Sequence, residues 1–416
     1  MGPLASARRL LGRWWSRYRY PLTLAIASRL ALLLCVYLGL VLVPLPQAGG
    51  PWRSLPENLL LDGFARWDSG WYLAIGQDGY TNVPNGEGQR DTAFFPAYPL
   101  LLALASGLGG EAMVLWGIAL SNVLFAVGLC LLHDLARPSG GPRLARLAVA
   151  CAAFGPFSIF FSAVYTESLF FALTTGAFWL AQRRRLFAAM AAAAVAALTK
   201  VVGLVVVPFA LLSWLSAAAA PATAEPPATA EPAATAAPPA AIERPTPPRS
   251  GSGWLRLLAA AALGCSLLLL HLLYQHLHFG AMLQFALSQR GWLEQASPER
   301  LRQSWEPLLE GSRVLAGRFY GMAVINSASL AGALLLLLLG LRRRWLPAPQ
   351  LLWALLTLLL SCGHWPSGGR FVTALFPLYP LLARLCRRLP AEAVVGSSAL
   401  LMALFAFLFS HWIWLA

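Results

Sequence analysis

Four of the five aspartates in this 416-residue chain fall in one stretch: Asp62, Asp68, Asp78 and Asp91. Its densest part reads Arg66-Trp67-Asp68-Ser69-Gly70-Trp71-Tyr72, followed by Gly79-Tyr80 and then Phe94-Phe95-Pro96-Ala97-Tyr98-Pro99. A carboxylate is costly to desolvate, so acid gathered beside long apolar runs marks a site to be explained. Asp68 between Trp67 and Trp71 has the make-up of a general base at a membrane interface. The carboxylate would take a hydroxyl proton, while the indoles stack on a substrate ring or sit at headgroup level. Tyr72 and Tyr98 join them as substrate-orienting candidates. The alternative is an Asp that caps a helix, with the tryptophans as interfacial belt residues. By residue type alone Asp62, Asp78 and Asp91 compete with Asp68, and Asp78-Gly79 could simply be a turn.

Three further charges stand out because they interrupt apolar sequence. Glu167, in Tyr165-Thr166-Glu167-Ser168, is the only acid between Asp134 and residue 217. It could orient a substrate, hold Lys200 or Arg370, or cap the helix that follows. Lys200, the single lysine, could meet a phosphate leaving group or pair structurally with Glu167. Arg370 closes Gly363-His364-Trp365-Pro366-Ser367-Gly368-Gly369-Arg370. Its guanidinium suits bidentate phosphate recognition, with His364 beside it and glycines that let backbone approach a ligand. The alternative there is a turn with an interfacial arginine. His271, His276 and His278 cluster without a carboxylate or cysteine spaced to complete a metal site, which favours helix packing.

These residues must be positioned by membrane helices. The chain is 58% hydrophobic and 12% charged, against about 25% charged in soluble domains. The net charge of +14 comes from arginines at the ends of apolar runs, a topology signal rather than a nucleic-acid footprint. The six cysteines form no CxxC pair, and the basic N-terminus leads into a span with no small-residue cleavage site. Spans are expected at 21–43, 112–132, 147–163, 166–182, 254–275, 321–341, 349–362, 371–386 and 393–414, with a short interfacial or re-entrant helix at 97–108. Residues 186–215 are one long span or two short ones. Two place Arg342-Arg343-Arg344 and Arg387-Arg388 on the cytoplasmic side, as the positive-inside bias prefers, and Lys200 near the outer face. The expectation is therefore an all-α polytopic membrane protein of about eleven transmembrane helices, with its N-terminus inside. Its parts are residues 1–216 with a first outer loop at 44–110, a disordered Ala/Pro/Thr linker at 217–252, and residues 253–416 with a second outer loop at 280–320. Every polar constellation then falls on the outer side.

In this order, the motifs resemble the PIG-V family of mannosyltransferases within the GT-C superfamily of polytopic glycosyltransferases. The resemblance rests on the Arg66–Tyr72 and Phe94–Pro99 motifs. It continues through Pro156-Phe157-Ser158-Ile159-Phe160-Phe161 and Tyr165-Thr166-Glu167-Ser168-Leu169-Phe170, then Leu198-Thr199-Lys200, Arg370-Phe371 and Phe376-Pro377-Leu378-Tyr379. One departure is Lys200-Val201, where Arg-Pro is expected: the charge survives and the proline does not. The resemblance implies a GT-C-like fold and an inverting transfer of mannose from a polyprenyl-phosphate donor to a lipid or glycan acceptor, on the extracytoplasmic face. By the same carry-over Asp68 is the base; on the residue readings above, Lys200, Arg370 and His364 then meet the donor phosphate. Trp67, Trp71, Tyr72, Tyr98 and Glu167 orient substrate. The expected partners are the lipid-linked donor, the acceptor and membrane lipids, not nucleic acid. Prenyl phosphate is a good leaving group, so no cofactor or metal is expected. Arginine richness and the Pro/Ala linker point to a bacterial plasma membrane. The rivals are a GT-C transferase for another sugar, a glycolipid flippase, and a scaffold acting through the linker.

Overall fold

The computed structural model describes residues 3–45, 54–55, 57–219, 251–291, 318–362, 367–413 and 415. Most of the expected linker, most of the second outer loop and His364 lie outside the described residues. Within them the chain forms helices and 3-10 turns and no strand. The first half holds α1 (Pro3–Leu42), α2 (Leu59–Asp62), α3 (Ser69–Asp78), α4 (Ala97–Leu102), α5 (Gly110–Ala153), α6 (Glu167–Gln182), α7 (Leu186–Thr199) and α8 (Val206–Ala219). The second half holds α9 (Gly251–Phe279), α10 (Gln284–Ser288), α11 (Arg318–Arg343), α12 (Ala348–Ser361), α13 (Gly368–Thr373), α14 (Leu378–Leu385) and α15 (Ala391–Ser410).

Among the described residues, five helices are long and apolar enough to cross a membrane: Gly12–Leu42, Gly110–Ala153, Gly253–Phe279, Val324–Arg343 and Ala391–Ser410. Shorter apolar helices occupy 97–108, 186–199, 201–217 and 348–361. The protein is all-α and multi-pass. Eleven unbroken spans are not recovered, because several are interrupted. The helix expected at 147–163 ends at Ala153, and a 3-10 turn at Ser158–Phe161 follows Gly155-Pro156. The span at 371–386 is two pieces, α13 and α14, with Pro377 just ahead of the second. A proline cannot donate the next helical bond and clashes with the preceding turn. The helix begun at 112 runs past 132 to a break at Gly140-Gly141, where Gly141 takes φ +75°.

The 186–215 ambiguity resolves into two helices. α7 ends where Lys200 turns extended, at φ −151° and ψ 140°. The chain then doubles back, since Arg184 at the start of α7 donates 2.6 Å to the carbonyl of Trp214 near the end of α8. Gly203 makes the reversal possible: a Cβ there would lie 2.2 Å from the Ala196 carbonyl oxygen. Basic residues gather at the far end of the bundle from this turn. There Asp134 takes hydrogen bonds from Arg17, Tyr18 and Trp179, and Arg183 lies 3.6 Å away.

The break after α5 is held by Arg29 in the first span. Its guanidinium donates to the carbonyls of Ala153 and Ser158, both at 2.8 Å, and to the hydroxyls of Ser158 and Ser162 at 2.5 and 3.1 Å. It also covers the Phe125 ring, 4.6 Å from the centroid. Backbone that leaves a helix at membrane depth must find new donors, and Arg29 supplies them. Arg29→Ala should therefore lower the thermal unfolding temperature in detergent. Each orphaned buried carbonyl costs roughly 1–3 kcal/mol. An unchanged transition would contradict this role.

Candidate active site

The first outer loop is built on buried polar anchors. Asn58 caps α2 by accepting from the Leu61 amide. Asp62, fully buried, accepts from the Leu55 amide at 3.0 Å and pairs with Arg66. Arg66 is equally buried and donates to the Ser410 carbonyl at 3.0 and 3.2 Å, with its guanidinium over Trp412. The loop is thus pinned to the end of α15, more than 300 residues away in sequence. Trp67 takes a left-handed backbone, φ +54°, rare for a bulky side chain. Tyr165 clamps that strained residue from both sides. Its hydroxyl donates to the Arg66 carbonyl and accepts from the Asp68 amide, each at 3.2 Å.

Asp68 follows, at the N-cap position of α3, and its side chain makes no capping bond. The capping alternative therefore fails. The carboxylate reaches across to α13, where Arg370 donates to Oδ2 at 2.5 Å. Arg370 in turn brings its Nε within 2.8 Å of Glu167 Oε1, an ion pair rather than an aligned hydrogen bond. Lys200 closes the chain, donating to the same Oε1 at 2.6 Å. Asp68, Arg370, Glu167 and Lys200 form one run of alternating charge with no net excess. Glu167 has no exposed surface and Lys200 and Arg370 are nearly covered. The rings of Tyr165 and Phe371 flank Arg370, and those of Phe170 and Phe371 flank Lys200.

Four of the site residues read from the sequence thus converge, from four separate segments. Glu167 takes both partners proposed for it, and Lys200 makes the structural pair weighed as its alternative. The other loop aspartates are occupied elsewhere. Asp62 is committed to Arg66. Asp91, also buried, accepts from the amides of Thr81 and Asn82 and from the Thr81 hydroxyl. Asp78 ends α3 in an exposed position. Asp68 Oδ1 accepts no hydrogen bond among the described residues, while Oδ2 takes the one from Arg370.

The aromatic candidates fall in layers. Tyr72 is buried beside the charges, with its hydroxyl 3.5 Å from Thr166 Oγ1. Burial pushes its phenol well above the ordinary range, so it is a neutral hydrogen-bonding group. Trp71 stacks on Phe94 at 5.7 Å, and Trp67 meets Trp412 edge-on. Tyr98 lies one layer back. Its ring stands edge-on to Tyr72 and its hydroxyl bonds to the Gly117 carbonyl and Ser121. It supports the site without touching the charges. Gly368 and Gly369 are closely packed: a Cβ on Gly369 would lie 2.0 Å from the Phe157 ring and one on Gly368 2.7 Å from the Leu330 side chain. His271 is buried against Phe95 and bonded to Gln275, docking α9 on the first loop.

Reading by residue type passed over Tyr165, Asn326 and Arg29. Asn326 holds the loop before Arg370, accepting from the Gly369 amide at 2.7 Å. A lone arginine and a lone asparagine inside apolar spans were the available signal. Tyr165 carried none, because a clamp on backbone has no sequence pattern.

Comparison with known proteins bears on the same region. Residues 53–221 match the sequence model of the family described as Mannosyltransferase (PIG-V). Over that stretch the likeness to PIG-V mannosyltransferases is established. GPI alpha-1,6-mannosyltransferase 2 of Cricetulus griseus is 34% identical over 162 residues, 36% of this chain and 32% of that protein. Its Rattus norvegicus counterpart is 32% identical over 211 residues, 46% of this chain and 42% of that protein. The matches span less than half the length of either relative. Among solved structures, the Archaeoglobus fulgidus oligosaccharyltransferase overlaps 92% of this chain and 53% of its own at 14% identity and TM-score 0.40, too slight to bear on fold or function.

The charge run makes a stability prediction with an order. Removing one partner of a buried ion pair costs roughly 3–5 kcal/mol. Glu167→Gln strips the carboxylate from two buried cations and should lower the unfolding temperature far more than Asp68→Asn, which leaves Arg370 paired with Glu167. Thermal unfolding of both variants in detergent checks it, and equal shifts would contradict the shared role of Glu167.

Proposed function

We propose that the chain is an integral membrane mannosyltransferase. It takes mannose from a polyprenyl-phosphate donor and passes it, with inversion, to a hydroxyl of a lipid or glycan on the extracytoplasmic face. The observation that carries the proposal is the convergence of Asp68, Arg370, Glu167 and Lys200 on one buried run, three of them within the PIG-V-matched segment. The curated relatives are named as mannosyltransferases of GPI, which supports the sugar. The acceptor here is a lipid or glycan hydroxyl, and a transferase of the same design for another sugar is the nearest alternative.

In this reading Asp68 Oδ1 accepts the proton of the acceptor hydroxyl as its oxygen attacks the anomeric carbon. The bond from that carbon to the phosphate oxygen breaks, and the prenyl phosphate leaves with the electron pair. An additional anion beside a balanced run needs a cation released to it. Arg370 can supply one by turning from Asp68 to the phosphate, and protonation of Asp68 weakens the bond that holds Arg370 back. Lys200, through Glu167, sets the far end of the run. Proton removal by a positioned carboxylate contributes typically about 10²–10⁴-fold. The basic far end, with Arg17, Arg183 and Arg184, faces the cytoplasm by the positive-inside bias, and Asp68 faces outward. A plasma membrane location remains part of the proposal.

Purified protein in lipid nanodiscs, given radiolabelled polyprenyl-phosphate mannose and a membrane lipid extract, should move label into a new product. Asp68→Asn should reduce transfer by at least about 10²-fold while remaining folded. Full activity in that variant would overturn the assignment. Chelation of divalent ions should leave the wild-type rate within about twofold, because the Arg370 guanidinium supplies the charge that meets the leaving phosphate.

A further inference from the structure

At the end of the bundle opposite Asp68 lies a cavity of about 310 Å³, lined by Trp345, Arg384, Leu385, Arg387 and Arg388. That is the small end of the roughly 300–1,000 Å³ range of ligand sites. Nothing in the transfer chemistry uses it. We propose that this cavity binds the phosphodiester headgroup of an anionic membrane lipid.

The lining is built rather than incidental. Arg384 sits in the last turn of α14 and donates to the carbonyls of Ser139, beside the break in α5, and of Trp345 at 2.7 and 3.3 Å. Its guanidinium lies over the Trp345 ring, 5.9 Å from the centroid. Trp345 is itself fixed by a turn, its amide donating 3.0 Å to the Gly340 carbonyl after Arg344 takes a left-handed φ of +52°. One wall of the cavity is therefore tied by hydrogen bonds to the α5 break and to the turn after α11. Arg387 and Arg388 border it from the exposed segment that follows α14. Among the described residues no carboxylate pairs with Arg384, Arg387 or Arg388. Three cations in a concave site without an acid call for an anion. The planar guanidinium fork matches phosphate oxygens better than a diffuse counter-ion does.

Two features select a lipid over a soluble phosphate. Leu385 lines the cavity and is 56% exposed, and Leu389 beyond it is 58% exposed, so an apolar strip continues from the arginines. Trp345 has the amphipathic character of a residue at headgroup level. A headgroup phosphate would sit on Arg387 and Arg388 with the first acyl carbons along Leu385. Basic clusters just beyond a membrane helix attract anionic lipids in this way.

The test is native mass spectrometry of the delipidated full-length protein titrated with phosphatidylglycerol or phosphatidylcholine. Phosphatidylglycerol should form a saturable one-to-one adduct at least about tenfold tighter than phosphatidylcholine. Arg387→Gln with Arg388→Gln should remove that preference. The control pair Arg342→Gln with Arg343→Gln, equally exposed but outside the cavity, should keep it. Inorganic phosphate in large excess should not displace the lipid. The proposal fails if the cavity variant keeps the preference. It fails if the control loses it equally, which would mean surface charge alone. It also fails if free phosphate competes, which would mean a soluble anion site. No transferase assay enters, so the outcome stands apart from the proposed activity.

Discussion

The structure turns on one carboxylate, Glu167. It is fully buried at the start of α6 and has two cations within 2.8 Å, Lys200 from the turn between α7 and α8 and Arg370 from α13. An uncompensated charge at that depth is prohibitive, so each of the three is tolerated only with the others. The consequence is geometric. Glu167 is one of the points that fasten together the two parts of the chain separated by the 217–252 stretch, and Arg370 reaches from it to Asp68. The catalytic candidate thus inherits its position from a structural ion pair.

The surrounding fold reads as the apparatus that keeps this run in register. Arg66, paired with Asp62 and bonded to the Ser410 carbonyl, fixes the loop before Asp68. Tyr165 fixes the strained residue between them, and it lies two residues from Glu167 in sequence, so clamp and charge move together. Asn326 fixes the backbone before Arg370, and Phe157 fills the space that a side chain on Gly369 would need. Arg29 secures the break from which Phe157 and Tyr165 emerge. All of these interactions are hydrogen bonds or close contacts at interruptions of helices, where backbone groups are free to be used.

Much of this was legible in the sequence, and the remainder was hidden for physical reasons. Glu167, Lys200 and Arg370 interrupt apolar sequence and stand out before their partners are known, whereas residue type alone leaves Asp68 as one of four acids in the first loop. The two-helix reading of 186–215 followed from arginine placement alone. What did not follow was which acid meets which base. Nothing in spacing says that Asp62 spends itself on Arg66 and Asp91 on the amides of Thr81 and Asn82, leaving Asp68 to the site. The interrupted spans were misjudged because hydropathy averages over windows, and a Gly-Pro or Pro break does not lower it. Gly369 before Arg370 carries a ligand-binding signal in the sequence, and in the structure it packs against Phe157.

In the proposed reaction Arg370 is shared between Asp68 and the phosphate of an incoming donor. The most direct measurement is equilibrium binding of polyprenyl-phosphate mannose to folded Asp68→Asn protein, beside wild type. Loss of the carboxylate charge frees Arg370, so the account predicts binding at least as tight as wild type even though transfer is lost. Binding that falls together with transfer would contradict it and make Asp68 a donor-holding residue rather than the base.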